Sequence, residues 1–351
     1  MGIKDLTSFL KEYAPRTISS GNLSQIKKTI YGENPPKRKL RAAIDTSLFL
    51  YKYKYRSGDN FINEFMEQIN RLMVNDIQPI YVFDGPPTSD KQDTINSRKE
   101  KKQNMVSKIN EIESKLKNTD EPLDAEQISI LQQDLVKIKR KSICITSDDI
   151  GRLIYFLDIM NIPHVKRNME ADLVCSRLSQ LGVVDFVISE DMDHLTSGTS
   201  ILLRDFNNKN NYVTVYNSNI AQTELDISNE KWIELCILFG CDYVPRIRGL
   251  GYKTSWKYIS DNKHSNINDI FDKILENKRY ILPENYIDKF SSAKSIFENK
   301  GIIELCEDDL FKTPEIFDNQ IAIVNNYLSK YTHFTEQKIK NRIKNIFGYS
   351  I

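Results

Sequence analysis

The stretch VDFVISEDMDHLTSGTSILLRDF, Val184 to Phe206, decides how the chain is read. A short apolar run, strand-like in character, gives way to an acidic turn, a polar linker and a second apolar run. The turn carries Glu190, Asp191 and Asp193 beside hydrophobic residues, where uncompensated charge is costly. In an extended segment, side chains at i and i+2 point to the same side, so Asp191 and Asp193 are expected to converge just past the strand's end. Convergent carboxylates suit a hard divalent cation, which takes oxygen ligands. The same turn also reads as a solvated acidic loop. The rest of the chain decides between the two.

Outward from this stretch, apolar runs recur with acids at their ends. Leu40 to Ile44 reads as a strand with Asp45 at its end. Ile80 to Phe83 reads as another, closed by Asp84 and broken by Gly85-Pro86-Pro87. Helical spacing is expected over residues 2–14 (Ile3, Leu6, Phe9, Leu10, Tyr13, ended by Pro15), from Leu48 to Tyr53, and from Phe61 to Val74. Ser147 opens a further helix with acids in its first turn. HVKR (164–167) is a short strand, and Glu170 and Asp172 begin the helix EADLVCSRLSQL, which stops at Gly182. Strand and helix alternate from 40 to 206, which argues for an α/β fold with a mostly parallel central sheet flanked by helices.

Residues 88–146 differ in kind: they are polar, rich in Lys and Glu, and poor in aromatics. The stripes Ile109, Ile112, Leu116 and Ile128, Leu131, Leu135, Ile138, with a turn at Asn118 to Pro122, predict a long antiparallel helical hairpin standing off the body. A solvated coiled-coil spacer is the plainer reading of the same pattern. Trp232 to Gly240 is another apolar helix. After Cys241-Asp242-Tyr243, a Gly249-Leu250-Gly251 turn opens a basic helix with Lys253 and Lys257. From about residue 265 onward the pattern is mixed helix without evident chemistry beyond packing.

Composition is that of a water-exposed globular chain: 40% of residues are hydrophobic and 28% charged. Lys plus Arg total 49 against 48 Asp plus Glu, a formal charge of +1 that hides local basic clusters. Lys27, Lys28, Lys37, Arg38, Lys39 and Arg41 face only Glu33 in their own stretch, and Lys52, Lys54 and Arg56 follow, as a polyanion partner would require. The five cysteines form no CxxC pair and sit in or beside apolar runs, as buried thiols of a reducing compartment do. No apolar run reaches membrane-spanning length, and no secretory or myristoylation pattern opens the chain. An intracellular protein of nucleus or cytoplasm, without a membrane partner, is expected.

The acidic turn therefore has company. In open α/β sheets, ligands bind beyond the carboxyl ends of the strands. Asp45, Asp84, Asp191 and Asp193 all follow strands, Glu170 and Asp172 open a helix, and Asp242 ends one. Each alone can be a cap or turn residue; together they make seven carboxylates for one sheet edge. One Mg²⁺ usually takes one or two carboxylates, so seven suit two ions with supporting residues. Two-metal phosphoryl transfer is the reaction class that follows. The Gly249/Gly251 turn, with Arg246, Arg248 and Lys253, offers backbone N–H groups and charge to a phosphate backbone. Lys91 and Arg98, seven residues apart at the root of the hairpin, would share a face towards the carboxylates and offset developing phosphate charge. Tyr51 can stack on a base or serve as a core aromatic.

The residues resemble a family. MGIKDLTSFLKEYAP, AIDTSLFLY, YVFDGPP, MEADLVCSRLSQLG, SEDMDHLTSG with LLRDF, and LFGCDYVPRIRGLGYK are similar, in order and spacing, to the blocks of the flap endonuclease branch of the XPG-like structure-specific nucleases, over residues 1 to about 260. The resemblance implies a metal-dependent endonuclease cutting 5′ flaps of branched DNA, with 5′-exonuclease activity, in replication, repair or recombination. It implies two Mg²⁺ (or Mn²⁺) ions on Asp45, Asp84, Glu170, Asp172, Asp191, Asp193 and Asp242, with Asp172 standing where the branch commonly has Glu. Lys91 and Arg98 correspond to the basic pair of a gateway helix, with Asp191 counted among the catalytic groups. Tyr51 matches an aromatic that stacks near the scissile bond, and Gly2 a residue whose backbone approaches the site.

The implied organisation is one nuclease domain: an N-terminal region 1–87, a helical arch 88–146, an internal region 147–240, a helix–two-turn–helix 241–265 that holds duplex phosphates and often K⁺, and a C-terminal helical region 266–351. No sliding-clamp peptide is evident in KIKNRIKNIFGYSI, and a monomer is expected. A compact, viral member of the branch would fit this outline. The alternatives are a double-strand 5′-exonuclease or junction resolvase of the same superfamily, or a catalytically inactive DNA-binding scaffold; a PIN-like ribonuclease would lack the Gly-Leu-Gly turn and the arch.

Overall fold

A computed structural model of the chain describes residues 2–86, 92–117, 124–207, 210–298 and 318–347. Its centre is a seven-stranded sheet: β1 (Ile18–Asn22), β2 (Leu40–Asp45), β3 (Ile77–Phe83), β4 (His164–Lys166), β5 (Phe186–Ile188), β6 (Ile201–Arg204) and β7 (Tyr212–Asn217). The order across the sheet is β1-β7-β6-β5-β2-β3-β4. β6, β5, β2, β3 and β4 run parallel to one another, while β7 is antiparallel to both β6 and β1. The mostly parallel α/β sheet expected from the sequence is present, with β1 and β7 added at one side. The sequence reading assigned neither strand: ISSGN is polar and Gly-containing, and only its pairing with β7 makes it a strand, whereas YVTVYN carries the β-branched and aromatic alternation of a strand and was passed over.

Strand residues alternate between two cores, as they must in a sheet covered on both faces. Leu40, Ala42 and Ile44 of β2, with Tyr81 and Phe83 of β3, join one core; Ala43, Ile80 and Val82 join the other. The first core is closed by helices Phe61–Val74 and Ser147–Ile159 and by the C-terminal helices Asp318–Tyr331 and Glu336–Phe347. In the last of these Ile339, Ile343 and Ile346 turn inward, while Lys338 and Arg342 grip Glu67 at 2.9 and 2.8 Å. The second core holds helices Leu6–Tyr13, Ala171–Gln180 and Asn229–Phe239, with Trp232 fully buried and its Nε1 donating to the Leu195 carbonyl at 3.0 Å.

The helix over Phe61–Val74 falls on the expected boundaries. The helix expected at Ser147 begins there, but its cap is Thr146, which forms a reciprocal capping box with Asp149. The two stripes in 88–146 lie on helices Gln92–Lys117 and Ala125–Lys141, joined by a Lys139–Glu113 ion pair at 2.6 Å. The turn expected at Asn118 to Pro122 lies outside the described residues.

Much of the basic character noted in the N-terminal region is spent internally. Lys27 pairs with Asp76 at 2.5 Å, Arg38 with Asp185 at 2.7 Å, Lys52 with Glu190 at 3.1 Å and Lys54 with Asp149 at 2.5 Å. Arg56 pairs with Glu64. All of these acids but Glu64 come from distant sequence, so the local stretch overstated the charge offered to a polyanion.

Candidate active site

The carboxyl ends of β2, β3 and β5 place Asp45, Asp84 and the acidic turn along one edge. Asp45 is the last residue of β2 and is only 6% exposed. Its Oδ2 accepts from Ser189 Oγ at 2.9 Å, and His194 Nε2 lies 3.3 Å from the same oxygen. Asp84 follows β3 and accepts the Ala171 N–H at 2.8 Å, which ties it to the start of helix Ala171–Gln180. That helix is capped by the buried Glu170 and carries Asp172 in its first turn. Glu170 accepts from the Tyr243 hydroxyl at 3.3 Å. Tyr243 adjoins Asp242, in the turn that follows helix Asn229–Phe239. Gly85, beside Asp84, lies so close to the Arg167–Met169 backbone that a Cβ there would collide with it.

Asp191 and Asp193 converge by a route different from the expected one. The segment between them is not extended: Met192 has φ −81° and ψ −11°, and Asp193 starts the short helix Asp193–Thr196. The Asp193 N–H donates to Asp191 Oδ1 at 3.2 Å, and the Asp191 N–H donates to Ser189 Oγ at 3.1 Å. The turn thus folds on its own backbone donors, and side chains two apart meet through a tight turn rather than through strand alternation. Gly2 closes over them with φ +92°. A Cβ at Gly2 would collide with Asp191 Oδ1 and lie 2.8 Å from Asp193 Oδ1, so only glycine fits there. The Lys4 N–H, bonded to the Gly240 carbonyl at 3.1 Å, anchors this N-terminal segment to the Asp242 turn.

The electrostatics record the crowding. Desolvation, and then the charges of Asp45 and Glu170, raise the pKa of Asp84 against the hydrogen bonds from Ser47 and Ala171. Burial, with the charges of Asp45, Asp172 and Asp84, pushes the Cys175 thiol well up. Tyr243 is pushed up by burial and by Asp172, Glu170 and Asp193. Complete burial works against a charged His194, but the hydrogen bond and charge of Asp45, with Asp172 and Asp191, outweigh it and raise its pKa. Burial pushes Cys241 up to about 12, with Asp193 and Asp242 adding to it.

Among the described residues, no group of three or more His, Cys, Asp and Glu side chains is drawn together tightly enough to hold an ion unaided. The donor set nonetheless fits a hard divalent cation by its chemistry, since every candidate ligand is a carboxylate.

The other expected site residues divide. Tyr51 is 43% exposed on helix Thr46–Ser57, which starts directly after Asp45. Arg248 and Gly249 are exposed, Gly249 has φ +83°, and Gly251 caps helix Tyr252–Ser260 without a side-chain bond, leaving backbone donors at its start. Arg246 is engaged inside the protein: its Nε donates to the Phe239 carbonyl at 2.7 Å and its guanidinium to Asp5 at 2.8 Å. Lys253 pairs with Glu12 at 2.7 Å. Arg98 falls on helix Gln92–Lys117, and Lys91 lies outside the described residues. Sequence reasoning passed over Ser189, His194 and Tyr243, which support Asp45 and Glu170. The signal available was their adjacency to Glu190, Asp193 and Asp242, and it says nothing about direction.

The chain is thus a doubly covered, mostly parallel α/β sheet with carboxylates at the carboxyl ends of its strands, the edge where ligands of such sheets bind. Residues 1–105 match the XPG N-terminal domain and residues 161–242 the XPG I-region. Flap endonuclease 1 of Caenorhabditis elegans is 30% identical over 98% of this chain and 85% of its own length. Flap endonuclease 1 of Entamoeba dispar is 28% identical over 99% of this chain and 87% of its own. In fold, the chain is similar to the catalytic core of Rad2 in complex with DNA substrate (TM-score 0.68, 20% identity, 98% of this chain and all of that one). It is also similar to flap endonuclease-1 from Methanococcus jannaschii (TM-score 0.62, 19% identity, 94% and 96%). The chain belongs to the flap endonuclease branch of the XPG nuclease family, whose members are metal-dependent, phosphodiester-hydrolysing enzymes.

Proposed function

We propose that the protein is a structure-specific endonuclease that cuts the 5′ flaps of branched DNA, with 5′-exonuclease activity, and that it works as a monomer. What supports the reading is that Asp45, Asp84 and the turn bearing Asp191 and Asp193 follow β2, β3 and β5, that Asp84 accepts the N–H of Ala171 between Glu170 and Asp172, that Tyr243 beside Asp242 donates to Glu170, and that Gly2 closes over Asp191 and Asp193 where no side chain fits. These carboxylates would hold two Mg²⁺ or Mn²⁺ ions. When bound, such ions supply Lewis acidity and charge neutralisation at a scissile phosphodiester.

The chain's own groups do the rest. Ser189 and His194 fix the orientation of Asp45, Tyr243 that of Glu170, and the Ala171 N–H that of Asp84. Tyr51, exposed beside this edge, offers a face on which a base stacks. The exposed Gly249 turn and the uncapped start of helix Tyr252–Ser260 offer backbone N–H groups to a duplex phosphate, with Arg248 and Lys253 nearby and K⁺ as a further ligand. Arg246 would act by shaping that turn rather than by touching DNA. The helical pair 92–117 and 125–141 would form the arch past which a 5′ strand is led, with Lys91 and Arg98 at its root neutralising the phosphate.

The test is a panel of end-labelled DNAs in Mg²⁺: 5′ flap, 3′ flap, blunt duplex, four-way junction, and single-stranded RNA. Endonucleolytic cutting near the base of the 5′ flap, lost on chelation, is expected. Equal cutting of single-stranded RNA sinks the proposal, and preferential cutting of the four-way junction replaces it with a resolvase.

A further inference from the structure

Lys52 lies one residue beyond Tyr51, on a helix that begins at the exit of β2. Its ammonium donates to Glu190 Oε1 at 3.1 Å and to the Phe206 carbonyl at 2.9 Å. Glu190 is the residue between Ser189, which grips Asp45, and Asp191. Its other oxygen, Oε2, accepts the Asp205 N–H at 3.4 Å. One ammonium therefore joins three pieces of chain: the helix Thr46–Ser57, the acidic turn after β5, and the loop after β6. Lys52 and Glu190 are only partly exposed, at 37% and 29% of their side chains, so the pair is less screened than a fully solvated one.

We propose that Lys52 is a positioning residue of the nuclease site, holding Glu190 so that the acidic turn presents Asp191 and Asp193 at a fixed distance from Asp45 and Tyr51. The inference rests on the flap-nuclease reading above. Its physical basis is that ligands on separate loops need supporting contacts to keep their orientation, and that losing such contacts commonly costs about 10–100-fold in metal affinity or activity. Lys52 also brings a positive charge to this turn: without it, Glu190 would add an uncompensated carboxylate beside Asp191.

Lys52→Met keeps the aliphatic stem and removes the charge; Lys52→Arg keeps the charge; Glu190→Gln breaks the same ion pair from the other side and serves should Lys52→Met fail to fold. Three quantities are measured on each: kcat and KM separately on a 5′ flap, Mn²⁺ binding to the substrate-free protein by calorimetry, and the melting temperature. For Lys52→Met and Glu190→Gln, kcat should fall about tenfold and Mn²⁺ affinity several-fold, with KM little changed. Lys52→Arg should restore both quantities, and the double variant should be no worse than either single one. A lowered melting temperature with kcat and Mn²⁺ affinity intact would make the pair a plain structural bridge. A rise in KM alone would make Lys52 a substrate contact. Either result overturns the proposal. If wild-type protein fails to cut 5′ flaps, the functional reading itself has failed, which is a separate outcome from an indifferent Lys52.

Discussion

The two ends of the central sheet use the same residue types to opposite effect. At the end where β2 and β5 begin, Asp185 accepts two bonds from Arg38, at 2.7 and 3.0 Å, another from the Arg41 N–H at 2.7 Å, and one from the Tyr31 hydroxyl. Burial works against its charge, yet these partners outweigh it and hold its pKa below the ordinary carboxylate value. At the end where β3 finishes, Asp84 has two hydrogen-bond donors, but burial and the charges of Asp45 and Glu170 push its pKa up. A carboxylate surrounded by cations and donors stabilises the fold. A carboxylate surrounded by other carboxylates costs stability.

Breaking this comparison at its strongest point gives the largest effect. Asp191→Ala should lower flap cleavage on the order of a thousandfold or more while DNA binding in Ca²⁺ is largely kept. Loss of binding together with loss of cleavage would mean that the acidic end is structural. At the paired end, Asp185→Ala should leave kcat within a few-fold and lower unfolding free energy by about 2 kcal/mol, measured by urea denaturation, because several charge-assisted bonds go together. The pH dependence follows from the same group. With its folded pKa depressed, the contribution of Asp185 is fully present above the unfolded carboxylate pKa of about 4 and is lost as pH falls through the lower folded value. Acid denaturation of Asp185→Ala should accordingly show a weaker pH dependence than wild type below about pH 4. The smallest change in stability sharpens the contrast: Asp84→Asn, which removes one like charge from the crowded end, should raise the metal-free melting temperature by about 2 °C. A lower melting temperature there would show that Asp84 is held by its Ser47 and Ala171 bonds more than it is repelled.

The candidate site's residues were easier to nominate from the sequence than their geometry was to foresee. Each of the seven carboxylates stands at the end of an apolar run or a helical stripe, a position visible in one dimension. The approach of Gly2 to Asp191 and Asp193 was available from the family resemblance but not from spacing. The supporting groups were harder to see. His194 follows Asp193 by one residue, yet only the short helix Asp193–Thr196 turns its ring back to Asp45, across 149 positions of sequence. Lys54 and Arg38 looked like solvent-facing cations because their acids, Asp149 and Asp185, lie 95 and 147 residues away. Strand β1 stayed hidden for a related reason: antiparallel pairing with β7 supplies the order that ISSGN lacks in composition, while β7, YVTVYN, was legible in its alternation.

By itself the sequence determined the α/β architecture, the helices with strong apolar periodicity, and the set of acidic residues, because hydrophobic period and strand-end position are local properties. Tertiary structure alone decided which charges cancel and which are left to crowd. Coulombic interaction depends on distance in space and on burial, and neither can be read along a chain when the partners are more than a hundred residues apart.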